Sequence, residues 1–149
     1  MPIRVDLQIA CRDVDIPAAA EIKAWIRTTL KQFRNNAEMT VRIVETTEAA
    51  ELNQRWRNAK GPTNVLSFPA GDAAAVVPDL LGDIVICATV VEKEAVQQKK
   101  KPKAHWAHMV VHGTLHLLGF DHMKKHEAEK MEAMEISILE KLGFENPYL

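Results

Sequence analysis

At 149 residues, with 47% hydrophobic and 26% charged residues, the chain has the size and make-up of one globular domain spanning 1–149. A formal net charge of -1 excludes a global basic field, so any contact with nucleic acid must come from local patches. Two cysteines, Cys11 and Cys87, without C-x-x-C spacing exclude a disulfide framework; each sits in an apolar run that predicts a buried free thiol. The Met-Pro-Ile-Arg-Val-Asp start carries no apolar signal core, and no apolar run approaches membrane-spanning length, so a soluble cytoplasmic protein is expected.

Residues 4–11 alternate, with Val5, Leu7, Ile9 and Cys11 on one side, which predicts a strand with one buried face. Asp15 and Pro17 punctuate a helix start. Ile22, Trp25, Ile26, Leu30 and Phe33 follow at helical spacing, and Asn35-Asn36 breaks the pattern. Met39, Val41 and Ile43 alternate again, giving a second strand to about Val44. Thr46 or Thr47 is placed to cap a second helix whose apolar face holds Ala49, Leu52, Trp56 and Ala59, ended by Gly61-Pro62. Asn64 to Phe68, bounded by Pro69, reads as a short third strand at a sheet edge. Residues 70–79 have no period and read as a loop. Asp83 to Cys87 is a fourth strand whose Ile-Val-Ile core predicts burial on both faces.

Thr89 to about Lys99 reads as a third helix, followed by a basic linker over residues 99–103. That lysine run is a solvated linker or an RNA-contacting patch. Residues 105–118 then form a helix with apolar residues around most of its circumference, which predicts a central, buried position. Residues 124–142 form the last helix, with Met131, Met134, Ile138 and Leu142 on one face and Gly143 as its stop. The order of elements predicts an α+β fold: a small mixed four-stranded sheet covered by about five helices, with the histidine-bearing helix at its centre. The order of the strands does not follow from it.

Chemistry concentrates in residues 105–122. His112, His116 and His122 have the spacing H-x3-H-x5-H. Residues four apart lie on one helical face, so His112 and His116 can present two imidazoles to one point. Gly119 supplies a helix stop, and the turn after it can return His122 to the same point. Three neutral imidazoles with one position open to water make the usual first shell of a catalytic zinc site. As core residues they would each need a polar partner, which a single cation supplies to all three. His105 and His108 share the same stripe as substrate-facing, supporting or surface groups, and are not counted as ligands. The metalloprotease motif H-E-x-x-H-x-x-G-x-x-H overlaps this pattern, but Gly113 stands where its general-base glutamate belongs, which argues against a peptidase.

Further blocks make the pattern specific: Leu-Asn-Gln-Arg-Trp-Arg (52–57), Pro-Thr-Asn-Val-Leu-Ser-Phe-Pro (62–69), Leu-Leu-Gly-Asp-Ile-Val-Ile (80–86) and His-Gly-Thr-Leu-His-Leu-Leu-Gly-Phe-Asp-His (112–122). Together they resemble the YbeY family of bacterial metal-dependent endoribonucleases, with Asn64 and Phe120 where members often carry Asp and Tyr. The resemblance implies metal ligands at His112, His116 and His122, and a functional arginine at Arg57. It implies a single-stranded RNA substrate, a role in small-subunit ribosomal RNA 3′-end maturation and ribosome quality control, and partnership with the small ribosomal subunit and an assembly GTPase. Independently, Arg57 near the end of the second helix can hold a phosphate with two parallel hydrogen bonds, or is a solvated surface arginine like Arg55. Ser67 is a phosphate contact or a strand hydroxyl; Asp121 orients a ligand imidazole or caps the last helix.

The expected activity is cleavage of an RNA phosphodiester, with Arg57, His112 and His116 as catalytic residues and one Zn²⁺ per chain, Ni²⁺ being another divalent metal that suits the site. Water and the ribose 2′-OH both stand as nucleophiles. The competing expectation is a ribosome-associated assembly factor whose zinc is structural; a closed site would then need His108 or Asp121 as fourth ligand.

Overall fold

Two ladders of alternating apolar residues start the fold. A computed structural model describes residues 3–12, 14–121 and 123–149. Strands β1 (Ile3–Ala10), β2 (Ala37–Val44), β3 (Val65–Pro69) and β4 (Leu80–Cys87) form one mixed sheet in the order β1-β2-β4-β3. β1, β2 and β4 run parallel, and β3 pairs antiparallel with β4 at the edge. The helices are α1 (Ala19–Lys31), α2 (Thr46–Arg57), α3 (Ala88–Gln97), α4 (Pro102–Leu117) and α5 (Lys125–Lys141). This is the α+β arrangement expected, with β3 short and at an edge.

The period of two in each strand divides the sheet into two faces. Val5, Met39, Val41, Ile43, Ile84 and Ile86 point into the main core, against α1 and α4. Val44, Leu66, Val85 and Cys87 point the other way and are covered by Ala49 and Leu52 of α2. β4 is therefore buried on both faces, as its unbroken apolar run requires. Helix α4 packs against α1, α3, α5, β3 and β4, which is why it is apolar nearly all round. Gly113 lets it approach the sheet: a Cβ there would lie 3.1 Å from Val65 Cγ2 and 3.3 Å from Ile84 Cγ2.

Several local expectations are corrected. α1 ends at Lys31, and Phe33 lies beyond it, 40% exposed, with its ring against Phe120. The cap position of α2 is Glu45, so Thr46 is already helical and neither threonine caps. Trp56, although inside the helix, is exposed, and Ala59 falls past the helix end because Asn58 in the left-handed conformation (φ 52°) stops α2 three residues before Gly61. Residues Gly71–Ala75 of the expected loop wind into a 3-10 turn. The basic linker is shorter than expected, since Pro102 takes the first position of α4. Cys87 is buried and Cys11 half-buried; both are free, and burial raises both thiol pKa values.

At the break in the β2–β4 register, Glu38 pairs with Leu80 and Met39 with Gly82, so Leu81 is an extra residue and β4 bulges. Gly82 has φ +132°, and a Cβ there would run into the Phe68 carbonyl oxygen on β3. Gly82→Ala is therefore expected to destabilise the fold by more than about 2 kcal/mol, combining backbone strain with a steric clash. Urea unfolding checks this: the midpoint should fall with the m-value unchanged, and an unmoved midpoint would show that the bulge tolerates a side chain.

Candidate metal centre and substrate cleft

Steps of three and four place His105, His108, His112 and His116 along one side of α4. His105 and His108 are buried, and His112 and His116 are half-buried at the cleft end. The stripe therefore runs from the core to the surface, and the first two histidines are not surface groups.

Each buried histidine meets a carboxylate from another helix. His105 Nε2 is 2.8 Å from Glu94 Oε1 on α3, and Asn64 Nδ2 donates to the same carboxylate at 3.2 and 3.3 Å. Burial lowers the His105 pKa, partly opposed by Glu94. His108 Nε2 is 2.7 Å from Glu135 Oε2 on α5, and His112 Nδ1 is 3.1 Å from the same oxygen. The Tyr148 hydroxyl donates to Glu135 Oε1 at 2.7 Å. Glu135 is 1% exposed. Its burial acts to raise its pKa, but hydrogen bonds from His108, His112 and Tyr148 and the charge of His108 outweigh burial and bring it down to about 2.

An ionised carboxylate only accepts hydrogen bonds, so His108 presents Nε2–H and His112 presents Nδ1–H to Glu135. The tautomer of His112 is thereby set, with the lone pair of Nε2 turned towards His116. His112 Nε2 and His116 Nε2 lie 3.1 Å apart. Two imidazole nitrogens on one tetrahedral Zn²⁺, at about 2.0–2.1 Å each, are separated by about 3.3 Å, so the pair fits a shared small cation. His108, His112 and Glu135 also bring ligand-capable atoms within 4.8 Å of one another, a group that can hold a metal. His122 lies outside the described residues.

The histidine pair opens on a cleft of about 720 Å³. Arg57, Ser67 and Asp121 line it together with His112 and His116. Arg57 is exposed at the end of α2, and its Nη2 donates to the Ser67 carbonyl at 2.7 Å. The Ser67 hydroxyl donates to the Gly113 carbonyl on α4 at 3.1 Å. Ser67 thus links the arginine to the histidine helix from the middle of β3. Asn53 Nδ2 donates to the Gly61 carbonyl at 2.9 Å and pins the loop that follows Arg57. The absence of a glutamate at position 113 also has a packing reason, since Val65 and Ile84 fill that space.

Glu94, Glu135 and Tyr148 were not singled out from the sequence. Glu135 does carry a signal: it lies four residues after Met131 and three before Ile138, a charge on the apolar stripe of α5. Tyr148 gives none, because its role depends on where the segment after α5 folds back.

The sequence matches the family described as Endoribonuclease YbeY over residues 8–143. The fold is similar to the solution structure of TM1509 from Thermotoga maritima, at 26% sequence identity and a TM-score of 0.61, over 95% of this chain and 91% of that one.

Glu135→Gln would put an amide NH₂ where N–H groups now converge. Orienting carboxylates of this kind are worth about 10–100-fold in metal affinity. A loss in that range is expected, measured by competition for Zn²⁺ against a chromophoric chelator. Wild-type affinity in the variant would show that the carboxylate does not act on the metal.

Proposed function

The chain belongs to the YbeY family of endoribonucleases, and on that footing we propose that it is a metal-dependent enzyme cutting single-stranded RNA. The observation that carries the metal part is the convergence of His112 Nε2 and His116 Nε2 at 3.1 Å in a cleft shared with Arg57. His112, His116 and His122 are the proposed ligands of one divalent cation, and a set of neutral imidazoles suits Zn²⁺ best, with Ni²⁺ also compatible. The bound cation would act as a Lewis acid and lower the pKa of water towards about 7.

The protein's own groups have separable tasks. Glu135 holds the His112 ring in the tautomer that turns Nε2 to the cleft. Arg57 keeps one N–H on the Ser67 carbonyl, which restrains the guanidinium, and offers other N–H groups to phosphate oxygens as negative charge builds in the transition state. Ser67 spends its hydroxyl on Gly113, so it positions rather than contacts the phosphate. The nucleophile is read from product ends: a 2′,3′-cyclic phosphate assigns the ribose hydroxyl, and a 3′-hydroxyl assigns water. Family membership supports ribosomal RNA as the substrate. Maturation of the small-subunit RNA 3′ end, ribosome quality control, a cytoplasmic location and contacts with the small subunit and an assembly GTPase are the finer parts of the proposal. Among the described residues no helix is long and apolar enough to cross a membrane.

The alternative, an assembly factor with a closed structural zinc, is less well supported. His108 Nε2 already faces Glu135, and His112 and His116 open to a large cleft.

The test is cleavage of a labelled single-stranded RNA by wild type and by His112→Ala prepared identically. Cleavage by the wild type alone is expected, and equal cleavage by both would remove the histidines from the reaction. His116→Ala should lose metal and activity together. Arg57→Ala should keep metal and fold while turnover falls about 10²–10³-fold, the usual cost of removing one donor to a developing charge. Undiminished turnover would return Arg57 to the role of a surface arginine.

A further inference from the structure

A second depression, of about 730 Å³, lies on the sheet face opposite α4. Thr40, Asp83 and Val85 contribute to it from the sheet, and Leu52 and Trp56 from α2. Arg57, Ser67 and Pro69 line both this groove and the cleft, so the two are continuous around the edge strand β3.

The groove carries an aromatic corner at that junction. Trp56 is 61% exposed, whereas Trp25 and Trp106 are buried. Its ring meets the Phe68 ring nearly at right angles, with centroids 6.4 Å apart and planes at 76°. The guanidinium carbon of Arg57 lies 6.0 Å from the Phe68 centroid. A planar group entering the corner can stack on one ring while its edge meets the other. The charges nearby are largely matched: the Arg42 guanidinium is held by Glu48 at 2.6 and 2.9 Å and by Gln8 at 3.2 Å. Such a surface does not suit a track of phosphates. It suits an uncharged aromatic ligand with a polar edge, for which Thr40 and Asp83 in the same groove are polar neighbours.

We propose that this groove seats a nucleobase of the single-stranded RNA, next to the phosphate held by Arg57, with Trp56 and Phe68 as its stacking surface. The proposal rests on the endoribonuclease reading and adds a substrate subsite to it. Arg57 then stands at the point where the strand passes from phosphate to base. Stacking on an aromatic side chain tolerates every base, so the subsite would favour unpaired RNA with little sequence preference. A paired base could not reach the corner without leaving its stack.

The test uses the full chain and two independent readouts. Binding of a single-stranded 2′-O-methyl RNA oligonucleotide should quench Trp56 fluorescence. Trp56→Ala should raise KM for single-stranded RNA about tenfold, with most of the loss in KM rather than kcat, and Trp56→Phe should recover most of it. An abasic nucleotide beside the cut should cost the wild type a similar factor and Trp56→Ala nothing further. Unquenched fluorescence together with an unchanged KM would overturn the subsite while leaving the nuclease reading intact. Unchanged RNA binding with loss of ribosome association would also overturn it, making the groove a protein-docking surface. If the wild type cut no RNA, the nuclease reading would fail, and the quenching titration would still decide whether the corner binds a base.

Discussion

The site depends on a single buried carboxylate. Glu135 reaches from α5 into the stripe of histidines on α4, where His108, His112 and Tyr148 surround it at 2.7 to 3.1 Å. An isolated carboxylate at 1% exposure would be costly to ionise. Here three hydrogen-bonding groups stabilise the charge, and the charge in turn dictates where the imidazole protons sit. The direction of the His112 lone pair is therefore set by the packing of α5 against α4, from behind the ring that lines the cleft.

A rigid support follows from the same arrangement. α4 is enclosed by three helices and two strands, so its histidines ride on one of the best-packed elements in the chain. Arg57 is attached differently, at the exposed end of α2, with its guanidinium bonded to a backbone carbonyl of β3. A deeply anchored histidine pair and an exposed, carbonyl-tethered cation at the rim would suit a cleft that admits a long polymer and holds one phosphate of it.

Much of this was legible in the chain itself. His112 and His116 announce a shared point because four residues make slightly more than one helical turn, and the apolar residues around them announce a central helix. The two-sided burial of β4 and the edge position of β3 follow from an unbroken Ile-Val-Ile run and from flanking prolines. What was hidden depends on tertiary placement. Trp56 has helical spacing with Ala49 and Leu52, yet α2 covers only part of its sheet face, so the last turn projects past the core and leaves the ring exposed. Glu94 and Tyr148 meet His105 and Glu135 through contacts between segments 11 and 13 residues apart, which no local period encodes. The strand order rests on parallel crossovers, and spacing along one segment does not specify them.

Ser67 places both halves of the site on one lever. Its carbonyl holds Arg57, its hydroxyl holds Gly113 on α4, and the strand between is short, proline-ended and paired on one side. Edge strands with few partners are among the first elements to open in a native protein. Opening of β3 would release the arginine from its carbonyl and loosen the strand's hold on the histidine helix in the same event. The pairing of this one strand thus supports the arginine and the histidine helix together, and whatever strengthens or weakens it would act on both at once.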